Sequence, residues 1–479
     1  MRFYTDGTVL RDEHGRERIF HGINLVAKGN HLLQGNFIER GFQGTWTPQD
    51  IAGLAAKGFT MIRLGIMWAA VEPLPGTYDE EYLDWIVNQM DLIHQAGMVV
   101  LLDSHQDLYS QSFGDGAPAW ATLTEQEFAA TDMWSDAYLM SPAVHEALDA
   151  FWANAPGPHG VGLQDRFAAM WAHVANRVCN HPGLFGYDLL NEPAPGSPSP
   201  EIFASLIGAF AHATGQDPEQ VFADFSEPEA KFAQLARLED VAVYHQVGDT
   251  IHPLIAAFET DVVAPFMEKV ARSIRVHDRD SIIAREHSYF ANMGVPSGQP
   301  ALPDPAWVYS PHGYDLTVDS EAIALSSNVR AGVIFDRHAQ TQQRLGVPVL
   351  VGEWGALSTG PGVGPHGEFL MDFFDAQGWS WTYWCWEPGY EGSEAAAVMN
   401  RPRPIAFAGD TTSWRVTNGQ LEAQWQGRDG AEPSVFFVPQ LTSGAQVEVT
   451  TAGVSIPAKI DGPWVYVPAG TGAYELRSR

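Results

Sequence analysis

Two short stretches of the chain carry residues fit for acid–base chemistry: Asp188-Leu189-Leu190-Asn191-Glu192-Pro193 and Val351-Gly352-Glu353-Trp354-Gly355. In each, a glutamate follows an apolar run (Phe185 to Leu190, Val347 to Val351), and a Pro or Gly then breaks it. The pattern reads as a buried strand that delivers a carboxylate to the rim of a sheet. Two carboxylates held at one rim are the minimum equipment for cleaving a glycosidic bond. Either glutamate alone fits an ordinary surface position just as well, because short motifs recur by chance. Together, within the pattern of strands around them, they mark a site.

Those strands can be read along the chain. Apolar runs recur at Ile19 to Val26, Thr60 to Ile66, Met98 to Asp103, Phe185 to Leu190, Ser281 to Glu286, Trp307 to Ser310, Val347 to Val351 and Trp379 to Trp386. Amphipathic stretches lie between most of them. Glu80 to Gln95 is typical, with Leu83, Ile86, Val87, Met90 and Ile93 at helical spacing. Strands alternating with helices imply a parallel sheet, and eight such units imply a closed (β/α)8 TIM barrel of the α/β class. That fold places its chemistry after the carboxyl ends of the strands, where both glutamates lie.

The expected organisation is a catalytic barrel over residues 1–400 and a small β-sandwich over 401–479. In the second part, Trp414 to Val416, Leu421 to Trp425, Ser434 to Val438, Gln446 to Thr450 and Trp464 to Val467 alternate in polarity, and Gly and Asn turns separate them. Two barrel connections, about 107–162 and 194–253, are of a length that is uncommon without a function. Both are rich in aromatics: Phe113, Trp120, Trp134, Tyr138, Phe151 and Trp152, then Phe203, Phe210, Phe222 and Phe225. They read either as inserted helices packing locally or as an apolar wall over the active face.

Composition narrows the partners. The 479 residues are 45% hydrophobic and 18% charged, the balance of a globular protein. A formal charge of −31 argues against nucleic acid and against electrostatic docking to anionic lipid. The two cysteines, Cys179 and Cys385, are too few for a disulfide framework and read as buried thiols. No run approaches the ~20 apolar residues of a membrane span. The amino terminus, Met1-Arg2-Phe3-Tyr4, enters folded-looking sequence at once, so no leader is expected within this chain.

Several other strand ends present polar groups: Lys28, Arg63, His105 with Asp107, Glu286, His312 with Tyr314, and Trp384 with Trp386. Each has a dull alternative. A lone Arg is usually an ion-pair partner, and a lone His usually a satisfied rim residue. No His-x-x-x-His or Cys/His spacing supports a metal centre, and no cofactor is expected.

The series Arg63, His105, Asn191-Glu192-Pro193, His312-x-Tyr314, Glu353 and Trp384 resembles family 5 glycoside hydrolases over about residues 10–395. That family comprises retaining (β/α)8 enzymes, endo-cellulases and mannanases among them. Gly22-Ile23-Asn24-Leu25-Val26-Ala27-Lys28, His105-Gln106-Asp107 and the carboxyl-terminal sandwich further resemble its endoglycoceramidases, which release intact oligosaccharide from ceramide. The resemblance implies Glu192 as acid/base and Glu353 as nucleophile. It implies that Asn191 bonds the sugar 2-hydroxyl, that Trp384 forms a platform under the sugar, and that Lys28, His105 and Asp107 grip sugar hydroxyls. His312 and Tyr314 would lie near Glu353, with Arg63 adding positive potential. Glu286 is a third strand-end carboxylate and a rival candidate for nucleophile, but Arg285 and His287 beside it favour an ion-pair or substrate-contact role. The implied partner is a glycosphingolipid in a micelle or membrane, met by a monomer with no nucleic acid, no integral membrane segment and no cofactor. An extracellular location is expected, the leader being absent from this chain, and a cytoplasmic one stays open. Three alternatives stay open too: a relative preferring β-galactosylceramides, an endo-β-1,4-glucanase or mannanase, and a non-catalytic glycolipid-binding protein.

Overall fold

A computed structural model describes residues 2–28, 42–318, 323–357 and 362–479. Its centre is an eight-stranded parallel sheet. In chain order the strands are β1 (His21–Leu25), β2 (Met61–Ile66), β3 (Val99–Ser104), β4 (Leu184–Asp188), β5 (Ile282–Arg285), β6 (Trp307–Tyr309), β7 (Leu350–Val351) and β8 (Ser380–Tyr383). Each pairs with its sequence neighbour, β8 pairs with β1, and a parallel bridge from Tyr309 to Val349 links β6 to the foot of β7. The ring is thus closed, as the strand count implied. Every residue of these strands is buried, as a parallel sheet covered by helices outside and packed with side chains inside requires.

The helices follow their polar signals. In Glu80–Gln95, Leu83, Ile86, Met90 and Ile93 face the core, and the Asp79 carboxylate accepts from the Tyr82 amide at the amino end. Beyond β6 and β7 the chain makes one more short parallel pairing, His312–Gly313 with Glu353–Trp354, which sets His312 directly opposite Glu353. Gly352 makes this possible, since a Cβ there would lie 2.6 Å from His312 Nε2 and 2.9 Å from Ser310 Oγ.

The two long connections are helical insertions. In the first, Phe113, Tyr138 and Phe151 are buried in the main barrel core. The second contains the helices Ser199–Thr214, Pro218–Phe225, Pro228–Leu235 and Val241–Phe258, which build a separate core from Ile202, Ile207, Phe210, Val221, Leu238, Val247, Ile251 and Ile255. Local packing therefore claims most of their aromatics. Met140 and Phe222 are exposed, and Trp134, Leu139, Phe203 and Leu206 are half-buried.

The amino terminus departs from the expected division at residue 400. Strands at Phe3–Asp6, Val9–Asp12 and Glu17–Arg18 join a seven-stranded sheet with Arg403–Phe407 and later strands, so residues 3–18 belong with the carboxyl-terminal sandwich. The reason is edge pairing: Glu17–Arg18 supplies the neighbour that Arg403–Phe407 would otherwise lack, and Arg11 clamps the join through Asp410 at 2.6 Å. A five-stranded antiparallel sheet completes the sandwich, and its aromatics Trp414, Trp425 and Tyr474 pack in the core with Phe407 and Phe436. The cysteines differ from expectation in burial. Both are half-buried, and Cys179 sits at the carboxyl cap of the helix Leu163–Val178.

Candidate active site

Residues of β1, β3 and β4 and those just after β4, β5 and β7 converge on one buried guanidinium. Arg63, from the middle of β2, donates through Nη1 to Glu353 Oε1 at 2.6 Å and to Asn24 Oδ1 at 3.0 Å. Its Nη2 donates to Asn191 Oδ1 at 3.0 Å and Glu286 Oε1 at 2.9 Å and pairs with Asp103 Oδ1 at 2.8 Å. Its Nε donates to Asp188 Oδ2 at 2.9 Å. Burial alone would weaken this cation, but Asp103, Asp188, Glu353 and Glu286 outweigh it and hold Arg63 charged.

The two glutamates have different surroundings. Glu353 accepts from Arg63 on Oε1 and from the Tyr314 hydroxyl on Oε2 at 2.6 Å, so both oxygens serve as acceptors. Glu192 accepts from Asn292 Nδ2 at 2.7 Å and from His312 Nδ1 at 3.0 Å, both on Oε1. Burial pushes its carboxyl above the ordinary range. His312 pulls the other way, while Glu353 and Asp107 add to the rise. His312 stands between the pair, with Nδ1 also 3.5 Å from Glu353 Oε2 and Nε2 3.2 Å from Glu286 Oε1. Burial opposes protonation of this ring, but Glu286, Glu353 and Glu192 overcome it and keep it an imidazolium.

One oxygen of Glu192, one nitrogen of His312 and one oxygen of Glu353 lie within 4.8 Å of one another. Nearest atoms this close fit the about 5–5.5 Å carboxyl separation of retaining glycosidases better than the about 6.5–9.5 Å of inverting ones.

Beside Glu353 lies a polar wall. Lys28 pairs with Asp107, whose carboxyl is held low because the ammonium outweighs its burial. His105 Nδ1 donates to Asp103 Oδ2, 2.9 Å away, and Asp103 overcomes burial to raise the ring to about 10. Trp384 is half-buried and stacks on His105 with centroids 5.1 Å apart, and Lys28 Nζ lies 4.8 Å from its ring centre. On the other side, beyond Glu192, the chain turns apolar. Trp152 Nε1 donates to the Ala194 carbonyl, Tyr289 N donates to that of Pro193, and Tyr289 packs on Tyr138 with centroids 4.7 Å apart. Half-buried Leu139 and Met293 pack on the core of the second insertion, and the Trp134 ring centre lies 5.9 Å from Lys28 Nζ.

Each site residue expected from the sequence lies in this constellation: Lys28, Arg63, His105, Asp107, Asn191, Glu192, His312, Tyr314, Glu353 and Trp384. Four further members did not stand out as site residues. Asn24, Asp103 and Asp188 are polar residues in otherwise apolar strands, a signal the sequence does carry. Asn292 lies in a short 3-10 turn, Tyr289–Met293, and no spacing rule marks it. Glu286 was visible as a third carboxylate at a strand end, and its place is beneath Glu192 against Arg63.

Among the described residues, three groups of buried donors are close enough to hold a metal ion: His105 with Asp107 and Asp115, Asp188 with Glu286 and His312, and Glu192 with His312 and Glu353. Each already meets a protein cation. Lys28 serves the first, Arg63 contacts Asp188, Glu286 and Glu353, and His312 itself is charged. A divalent ion in any of them would have to displace that cation, so the donor sets fit ion pairs better than metal ligation.

Comparison with known proteins agrees with this geometry. The family model described as Cellulase (glycosyl hydrolase family 5) matches residues 31–389. Endoglycoceramidase I of Rhodococcus hoagii (strain 103S) is 37% identical over 193 residues, 40% of this chain and 37% of that protein. An endoglycoceramidase of Cyanea nozakii is 31% identical over 211 residues, 39% of this chain and 40% of its own. The chain thus aligns with well under two thirds of either relative's length. Among solved structures, endo-glycoceramidase II from Rhodococcus sp., in a cellobiose-like imidazole complex, superposes with a TM-score of 0.74 at 25% identity, covering 99% of both chains. With a family match spanning most of the barrel and both carboxylates at its strand ends, the chain belongs to glycosyl hydrolase family 5.

Proposed function

We propose that this glycosidase is a retaining endo-β-glycosidase that cuts between the sugar and the ceramide of glycosphingolipids. The observation that carries the mechanism is the close, unequal pair: Glu353 clamped by Arg63 and Tyr314, and Glu192 raised by burial. In the first step Glu192 gives its proton to the glycosidic oxygen, and the carbon–oxygen bond to ceramide breaks. The Glu353 carboxylate forms a bond to the anomeric carbon from the opposite face. Water then attacks that carbon, Glu192 takes its proton, and the bond to Glu353 breaks. Two inversions leave the β configuration. Asn191, held by Arg63, is placed to bond the sugar 2-hydroxyl as the oxocarbenium character develops.

The substrate assignment rests on two supports. Relatives bear the names endoglycoceramidase and glucosylceramidase. The site is polar beside Glu353 and apolar beyond Glu192, which suits a sugar on one side and a lipid on the other. Ceramide in an aqueous phase gains about 0.8 kcal/mol for each methylene it buries. The test is a panel in detergent: a ganglioside, lactosylceramide, glucosylceramide, β-galactosylceramide and a soluble β-1,4-glucan. Release of intact oligosaccharide and ceramide faster than glucan hydrolysis supports the proposal. Faster glucan cleavage would replace it with a polysaccharide endoglycosidase, and binding without turnover would mark a glycolipid-binding protein.

A further inference from the structure

Glu286 is buried at the end of β5, directly beneath the two catalytic carboxylates, and the roles proposed for them leave it unused. Its Oε2 accepts from the backbone amide of Glu192 at 2.7 Å. Its Oε1 accepts from Arg63 Nη2 at 2.9 Å and lies 3.2 Å from His312 Nε2. His312 in turn donates to Glu192 Oε1. One carboxylate thus grips Glu192 at both ends, the main chain directly and the side chain through the imidazole. The main-chain grip is significant because Glu192 sits at φ +43°, a left-handed conformation that costs a side-chain-bearing residue energy unless its surroundings impose it. Burial lifts the Glu286 carboxyl to about 8, but the His312 and Arg63 cations beside it favour its charged form, and that charge in turn keeps both ring nitrogens protonated and Nδ1 a donor.

We infer that Glu286 is a positioning residue for the general acid: it holds Glu192 in its left-handed turn and orients His312 so that the Glu192 proton faces the leaving oxygen. It neither attacks the sugar nor donates to it. The inference rests on the acid/base reading of Glu192. A role of this kind should matter only when the departing group needs a proton.

The test compares two substrates of one glycone, one with an alkyl alcohol leaving group and one with 2,4-dinitrophenolate. In Glu286→Gln, kcat/KM for the alkyl glycoside should fall about 100-fold, the low end of a general acid's contribution, while the dinitrophenyl glycoside should change less than about fivefold in its first step. In the Glu192→Ala background, Glu286→Gln should add nothing further for the alkyl substrate, because it acts through Glu192. Glu286→Asp keeps the charge beside Arg63 but withdraws its reach to the Glu192 amide, and it provides the same comparison if the glutamine variant does not fold. Equal losses on both substrates, or additive losses in the double variant, would overturn the inference. Glu192→Ala alone separates the two layers: if it slows both substrates equally, the acid assignment itself fails. If it spares the dinitrophenyl glycoside and Glu286→Gln does not, only the positioning role fails.

Discussion

Tyr314 donates its hydroxyl hydrogen to Glu353 Oε2 at 2.6 Å, on the opposite oxygen from the one Arg63 holds. Attack by Glu353 must draw on one of these two oxygens, so the pair of donors aims the side chain. Removing the tyrosine hydroxyl leaves one of them unsupported. A hydrogen bond to a charged group is worth about 1.5–3 kcal/mol, so Tyr314→Phe should lower kcat/KM by about ten- to a hundredfold. The fold should survive, because Tyr314 is half-buried at the rim. Steady-state kinetics beside a melting curve reads both; an unchanged rate would remove Tyr314 from the mechanism.

Azide distinguishes the two glutamates. In Glu192→Ala, glycosylation from a dinitrophenyl glycoside should persist while deglycosylation slows, and azide should restore turnover and yield a β-glycosyl azide. In Glu353→Gly no covalent intermediate forms, and azide should occupy the vacated face to give the α-azide. Proton NMR of the products reads the anomer, and the reverse pattern would exchange the two assignments.

The pH dependence has a definite sign. Burial, with help from Glu353, raises the Glu192 carboxyl above its ordinary range, and the first step needs that group protonated. Raising pH through its pKa strips the proton, so kcat/KM for alkyl glycosides should fall about tenfold per pH unit on the alkaline side. The limb should lie above the ordinary carboxylic acid range and vanish for dinitrophenyl glycosides in glycosylation. A limb that persists with that substrate would belong to another group.

Gly352 should tolerate no side chain. A Cβ would press to 2.6 Å from His312 Nε2, and His312 is fully buried. Gly352→Ala should cost about 1–3 kcal/mol of stability, in the range of overpacked cores, and more than tenfold in activity because His312 must move off both carboxylates. Denaturant melts and kcat/KM together check it; wild-type activity would show that the close approach is relieved elsewhere.

Met140, on the first insertion, is 62% exposed and Phe222, on the second, 51%, and both are candidates for the proposed contact with ceramide. Replacing both with Ser should raise KM for a detergent-dispersed glycosphingolipid several-fold and leave a water-soluble aryl glycoside unaffected. Salt should have little influence on either, since hydrophobic contact is not screened. Equal effects on the two substrates would place these residues in folding rather than in lipid capture.

The sequence by itself determined the barrel and the strand ends at which Glu192 and Glu353 stand. Apolar runs ending in Asn191-Glu192 and Gly352-Glu353 are local signals, because burial on both faces of a parallel strand favours an apolar run and leaves the polar residue at its end. The same logic exposed His105 and His312, whereas Arg63 was visible as a charge inside the run of β2. The sandwich strands were legible by their alternation, yet the hairpin at residues 3–18 was not placed with them, since its partner Arg403–Phe407 is remote in sequence. Only the tertiary structure decided how the site is held. That Arg63 gathers Asp103, Asp188, Asn191, Glu286 and Glu353 depends on five strand ends closing into a ring, a distance relation that no spacing encodes. The same is true of Asn292 meeting Glu192 and of the second insertion folding its aromatics into a core of its own. Periodicity states that a residue is apolar or polar at its position; which neighbour satisfies it is set by packing across the whole barrel.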